Sequence, residues 1–213
     1  MNKTNPPTTL PAQLRDGYQA FRSGRLRTEQ SRYRDLAERG QAPETMVIGC
    51  CDSRVSPEVI FDAGPGELFV VRNVANLVPP YAPDSAYHGV SAALEYAVLV
   101  LRVRHIVVLG HARCGGIAAY ANDAPPGDFI GRWISLLTPA AESIGSRAEA
   151  SYLTRLEKAS LLFSIENLKS FPFIRTACAL GTLALYGAYF DVATGELSAL
   201  NPATRRFMAV AAA

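Results

Sequence analysis

The chain has 213 residues, 49% of them hydrophobic and 19% charged, with a formal net charge of +2. That composition supplies a sizeable core and excludes a disordered polyelectrolyte. No Lys/Arg cluster is dense enough to neutralise a row of phosphates, and Arg22, Arg25, Arg27, Arg32 and Arg34 are interleaved with Glu29, Asp35 and Glu38. The pattern is that of a solvated helix face, so no nucleic acid is expected as a partner.

Residues 1–12 hold three prolines and read as a poorly ordered lead-in. Residues 13–40 form a helical arm: Leu14, Tyr18 and Phe21, then Tyr33, Leu36 and Ala37, recur at helical spacing around a break at Ser23-Gly24. Next comes Met46-Val47-Ile48-Gly49-Cys50, an apolar run bounded by polar residues and therefore a buried parallel strand. A second, Leu68–Val71, follows the turn signal Gly64-Pro65-Gly66. Helical periodicity runs from about Ala86 to Arg102, before Ile106–Gly110, the strongest strand in the chain. Gly115-Gly116 opens a short helix, two helical stretches follow near 128–146 and 151–170, and a last strand region near 183–190 turns at Thr194-Gly195. Strands alternating with helices indicate an α/β fold: a central, mostly parallel β-sheet flanked by helices, with the arm at its N-terminus, making one domain of residues 1–213. No apolar run approaches the ~18 residues that span a bilayer, and no apolar signal core follows the first charges. A cytoplasmic protein that does not enter the membrane is expected.

Two strands run straight into unusual polar residues. The first ends in Cys50-Cys51-Asp52-Ser53-Arg54 and the third in His111-Ala112-Arg113-Cys114-Gly115-Gly116. Ligands of open α/β sheets gather at the carboxyl ends of strands near a reversal of strand order. Cys50, His111 and Cys114 are a donor set suited to tetrahedral Zn²⁺, and three protein ligands leave the fourth position for water. Cys51 should face away from Cys50 on the strand, and Cys178 reads as a small buried hydrophobe. Four cysteines without a signal sequence are read as ligands before disulfides. Asp52, beside Arg54, should stay ionised and accept a hydrogen bond from metal-bound hydroxide. Two thiolates cancel the charge of Zn²⁺, so activity is expected to favour mildly alkaline pH. Taken singly these features are bland: Asp52-Ser53-Arg54 is also a helix cap with a salt bridge, and Gly115-Gly116 also a tight turn. His88 and His105 read as surface or strand-flanking residues.

Cys-x-Asp-Ser-Arg, followed some sixty residues later by His-x-x-Cys-Gly-Gly, resembles the β-class carbonic anhydrases. The likeness extends through Pro65–Pro80, Ala92–Ala97, Glu166–Leu168 and Tyr189–Asp191, and covers roughly residues 40–200. It implies reversible hydration of CO₂ to bicarbonate and a proton by a zinc-bound hydroxide, with one Zn²⁺ per chain on Cys50, His111 and Cys114. Asp52 and Arg54 would be the catalytic dyad; Asp52 would be a fourth ligand only in a closed state, which belongs to members with an inhibitory bicarbonate site. Gln41 would hydrogen-bond substrate across a subunit boundary, Phe69, Val74 and Tyr96 would wall the CO₂ pocket, and the Gly115 N–H would face the reacting ligand. The resemblance implies a homo-oligomer, a dimer or a tetramer built from dimers, with the arm as a clasp. Val47 stands where members with an inhibitory bicarbonate site carry Trp, which with Gln41 favours the plant-type subgroup; Arg72 is of a kind both subgroups share. Two other readings use the same residues: a hydrolase of CS₂ on the same scaffold, and a non-catalytic zinc or thiol sensor built on Cys50-Cys51.

Overall fold

A computed structural model describes residues 10–123 and 127–211, so most of the proline-bearing lead-in lies outside the described residues. The chain divides into two units at Gln41. In the first, α1 (Ala12–Ser23) and α2 (Arg25–Arg39) meet at Gly24, the expected break. Phe21 and Tyr33 pack edge to face with ring centroids 5.9 Å apart, tying one helix to the other. Neither helix buries a residue, and Leu14 and Tyr18 stay exposed.

The second unit is built on six strands: β1 (Thr45–Cys50), β2 (Leu68–Asn73), β3 (His105–His111), β4 (Ala184–Phe190), β5 (Leu197–Asn201) and β6 (Arg206–Ala209). Their order across the sheet is β2-β1-β3-β4-β5-β6, parallel through β4 and antiparallel beyond it. The period-2 alternation of a strand sorts its side chains between two layers. Met46 and Ile48 join Ile106 and Val108 on one face, while Val47 joins Leu109 and Ala188 on the other. This is the mostly parallel sheet that the apolar runs predict. The β6 strand was not foreseen, because Arg206–Ala209 is short and largely exposed, with no apolar run to mark it.

Helices cover the sheet. The predicted helix over 86–102 begins at Gly89: α4 (Gly89–Glu95) continues into a π-wound turn, Tyr96–Leu101, and stops at Arg102 in the left-handed conformation. After the short α3 (Pro57–Ile60) and α5 (Gly115–Ala121), the stretch near 128–146 is not one helix. It breaks into α6 (Ile130–Ile134), a 3₁₀ turn and α7 (Thr138–Ile144), with Pro139 at the start of the last. The long α8 (Tyr152–Ser170) packs against β3 so closely that a Cβ at Gly110 would sit 3.0 Å from the Leu161 methyls. It is followed by α9 (Pro172–Ala179), where Cys178 is half-buried rather than enclosed as expected. Among the described residues, no helix is long and apolar enough to cross a membrane.

Candidate metal centre

Strand order reverses at β1: the chain leaves it for β2 on one side and returns to β3 on the other. Adjacent parallel strands bring their carboxyl ends together, and the reversal opens a crevice between the loops that leave them. Cys50 is the last residue of β1 and His111 the last of β3. Arg113, with φ 58°, turns the backbone left-handed so that Cys114 follows on the same side as His111. Gly116 then lets the chain pass the turn after β2, where a Cβ would lie 2.7 Å from Val74 Cγ1 and 3.1 Å from Ala75 Cβ.

The ligand atoms of Cys50, His111 and Cys114 lie within 4.8 Å of one another, and all three residues are buried. Zinc–sulfur bonds of ~2.3 Å in tetrahedral geometry set two thiolates ~3.8 Å apart; here Sγ of Cys50 and Sγ of Cys114 are 3.9 Å apart. His111 Nδ1 donates to the Ala112 carbonyl at 2.9 Å, which leaves the Nε2 lone pair as the ligand. That Nε2 is buried without a hydrogen-bond partner among the described residues. Donor type, spacing and the orphaned nitrogen all fit zinc.

The electrostatics agree. The Cys50 thiol is drawn well below the usual thiol range, chiefly by its hydrogen bond with Cys114, with His111 and the backbone N–H groups of Asp52 and Ala75 adding to the effect. Cys114 is pushed up by the Cys50 thiolate and by burial, since two adjacent anions repel. A dication between them relieves that repulsion. Burial opposes charge on His111, but Cys50 and the Ala112 carbonyl outweigh it and move its pKa upward.

Asp52 and Arg54 form a bidentate pair. Arg54 Nε donates to Oδ1 at 2.9 Å and its terminal nitrogen to Oδ2 at 2.7 Å, with the Arg54 backbone N–H also on Oδ1 at 3.0 Å. The guanidinium beside it holds the Asp52 carboxyl well below the usual carboxylate range. Arg54 also donates to the Arg113 carbonyl at 3.1 Å, linking the two loops, and Asp52 Oδ2 stands 4.0 Å from His111 Nε2. An ionised acceptor therefore faces the ligand set.

The carbonic anhydrase family model matches residues 45–197. The chain is 38% identical over 202 residues to a carbonic anhydrase of Pseudomonas aeruginosa, covering 92% of this chain and 90% of that one. It is equally 38% identical to β carbonic anhydrase 3 of Arabidopsis thaliana over 192 residues, 85% of this chain and 73% of the relative. The chain belongs to the β-class carbonic anhydrases. Among solved structures, one of two tetrameric β-carbonic anhydrases of Sordaria macrospora superposes with a TM-score of 0.77 at 30% identity, covering 93% of this chain and 98% of that one. The enzyme reversibly hydrates CO₂ to bicarbonate and a proton and uses zinc, which Cys50, His111 and Cys114 are in position to bind.

The remaining predicted site residues of this carbonic anhydrase are spread more widely. Val74 packs with the ligand cysteines and closes over Gly116, its carbonyl held by Trp133 Nε1 at 2.8 Å. Nothing lies within 4 Å of a Cβ built on Gly115, so that side of the loop is open. Phe69 and Tyr96 pack with their rings tilted, centroids 5.9 Å apart, and Phe69 packs in the cluster of Met46 and Ile48 rather than with the ligands. Gln41 is the last residue of the N-terminal unit and is exposed. Cys51 is exposed; His88 pairs with Asp84 at the surface, and His105 opens β3 against the Tyr186 ring.

Sequence reasoning missed the work of Arg72. Its Nε donates to the Cys50 carbonyl at 2.8 Å and its terminal nitrogen to the Asp52 carbonyl at 2.7 Å, clamping the first loop from β2. The readable signal was a cation closing the otherwise apolar run Leu68–Val71.

Proposed function

We propose that Asp52 and Arg54 are the catalytic pair of this carbonic anhydrase and that Gly115, Val74, Phe69, Tyr96 and Gln41 bind its substrate. Zinc, when bound, supplies a Lewis acid that makes water a nucleophile near neutral pH. Asp52, kept ionised by Arg54, would accept the O–H hydrogen bond of such a nucleophile and so leave a lone pair directed toward CO₂. An ionised carboxylate accepts and cannot donate, so the orientation has one sense. Arg54 keeps the carboxylate in place through its bidentate bonds and its hold on the second loop. The N–H of Gly115, at the open start of α5, donates to an oxygen of the forming bicarbonate. Val74, Phe69 and Tyr96 offer apolar surface to a substrate without a dipole, and Gln41 of a neighbouring chain donates to it. The observation that carries the reading is the bidentate Asp52–Arg54 pair, 4.0 Å from the buried ligand nitrogen of His111.

Several further features support an oligomer, a dimer or tetramer in which residues 13–40 clasp a neighbour while the whole chain works as one domain. Leu14 and Tyr18 are left uncovered on α1, Tyr96, Leu99 and Val100 on the turn after α4, and the Sordaria macrospora neighbour is described as tetrameric. Val47, standing where members with an inhibitory bicarbonate site carry Trp, supports the plant-type subgroup. Cys51 and Cys178, outside the metal centre, are free thiols, which supports a reducing, cytoplasmic setting.

Asp52→Asn tests the pair. It keeps the shape and removes the charge, so zinc content should stay at one per chain while CO₂ hydration, followed by stopped-flow with a pH indicator, falls by about 10²-fold. Unchanged hydration in a zinc-loaded variant overturns the assignment.

A further inference from the structure

The buried stripe of α8 carries an acid. Leu156, Ala159, Leu161, Ser164 and Leu168 are buried along the same helix, and Glu157 is only 4% exposed. A buried carboxyl is tolerated where donors satisfy it, and its two oxygens do separate jobs. Oε1 accepts the backbone N–H of Cys114 at 3.1 Å, and Oε2 accepts the Tyr189 hydroxyl at 2.6 Å. Cys114 needs such an acceptor. It directly precedes α5, where backbone N–H groups have no partner within the helix, and it follows the left-handed Arg113. Tyr189 is itself 6% exposed on β4; burial, and then Glu157, push its phenol upward, so it stays a donor. The Lys158 ammonium sits 4.9 Å above the Tyr189 ring and holds that ring from the outside.

We propose that Glu157 is a positioning residue for the metal: by holding the Cys114 N–H it fixes the backbone that aims the second thiolate, and Tyr189 fixes Glu157 in turn. The chain of contacts ties the ligand loop to α8 and β4, two elements that contribute no ligand. This rests on Cys114 being a zinc ligand. Partners one step removed from a metal set ligand orientation, and losing one typically costs 10- to 100-fold in metal affinity.

The test follows zinc rather than turnover. Purified holoenzyme is mixed with excess chromophoric chelator and the rate of zinc transfer recorded; the thiolate-to-cobalt charge-transfer band of the Co²⁺-substituted protein is recorded in parallel. Glu157→Leu, which removes the acceptor, should release zinc about 10- to 100-fold faster and shift the cobalt band. Glu157→Gln keeps a carbonyl for the Cys114 N–H and should restore slow release. Tyr189→Phe should fall between them. Leu168→Ala, on the same helix but in the other core cluster, should lower thermal stability and leave the release rate unchanged. A folded Glu157→Leu that releases zinc at the wild-type rate with an unshifted cobalt band overturns the proposal. Should that variant fail to fold, wild-type release from Tyr189→Phe overturns it instead. Cys114→Ser separates the two readings. If it retains one zinc per chain, the ligand assignment fails; if it loses zinc while Glu157→Leu behaves as wild type, the role of Glu157 alone fails.

Discussion

The loop after β1 and the loop after β3 supply one metal centre, yet they are held in different ways. The first is fixed by charge: Arg54 grips Asp52 from the side, and Arg72 clamps the carbonyls of Cys50 and Asp52 from β2. Arg54 is exposed, so this loop is built where water and substrate reach it. The second is fixed more by shape: a left-handed Arg113, a glycine at Gly116 pressed on Val74 and Ala75, and the Ala112 N–H donating to the Phe190 carbonyl at 2.9 Å, with Arg54 on the Arg113 carbonyl and Glu157 on the Cys114 N–H as its charged contacts. The contrast assigns labour. The shaped loop brings two residues into position to bind a metal and has little freedom, whereas the charged loop brings one together with the Asp52–Arg54 ion pair.

Removing a ligand from either loop should have the largest effect and abolish the contrast. Cys50→Ser and His111→Ala are expected to lose zinc, measured by metal analysis, and with it all CO₂ hydration. The next variant should separate the loops. Gly116→Ala forces Val74 and Ala75 aside, and overpacking of that kind costs about 1–3 kcal/mol. The urea midpoint should fall accordingly, while an unchanged midpoint would show that the shaped loop can give. Arg54→Lys should have the smallest effect. An ammonium cannot reproduce the bidentate grip or reach the Arg113 carbonyl in the same geometry, and one lost charge-assisted bond is worth about tenfold in rate. Zinc content and the urea midpoint should stay at wild-type values; a loss of zinc would show that charge also holds the metal.

The legible part of this molecule was what its sequence places in short, continuous signals. Apolar runs ending in Cys50 and His111 gave the strands, and strand adjacency brought the ligands together. Asp52 and Arg54 were readable because they are two residues apart and touch directly. Glu157 and Tyr189 were not, since their meaning lies in contacts across 43 and 32 residues of chain. A signal did exist: Glu157, Leu161, Ser164 and Leu168 share one buried helical stripe, and a carboxyl there requires donors from elsewhere. The break of the 128–146 helix and the short β6 were missed for different reasons. Pro139 did mark the helix break, as a proline in a helical pattern does, whereas a four-residue exposed edge carries little periodic information.

The reversal of strand order has an engineering consequence. Between Cys50 and His111 the chain must travel out through β2, past the fully exposed Tyr87, and back along α4. A cut at Tyr87 would leave one ligand on the first fragment and two on the second. Neither piece could hold zinc by the full set, but β1 would still pair with β3 and share its core, so zinc uptake would report the reassembly of the two pieces.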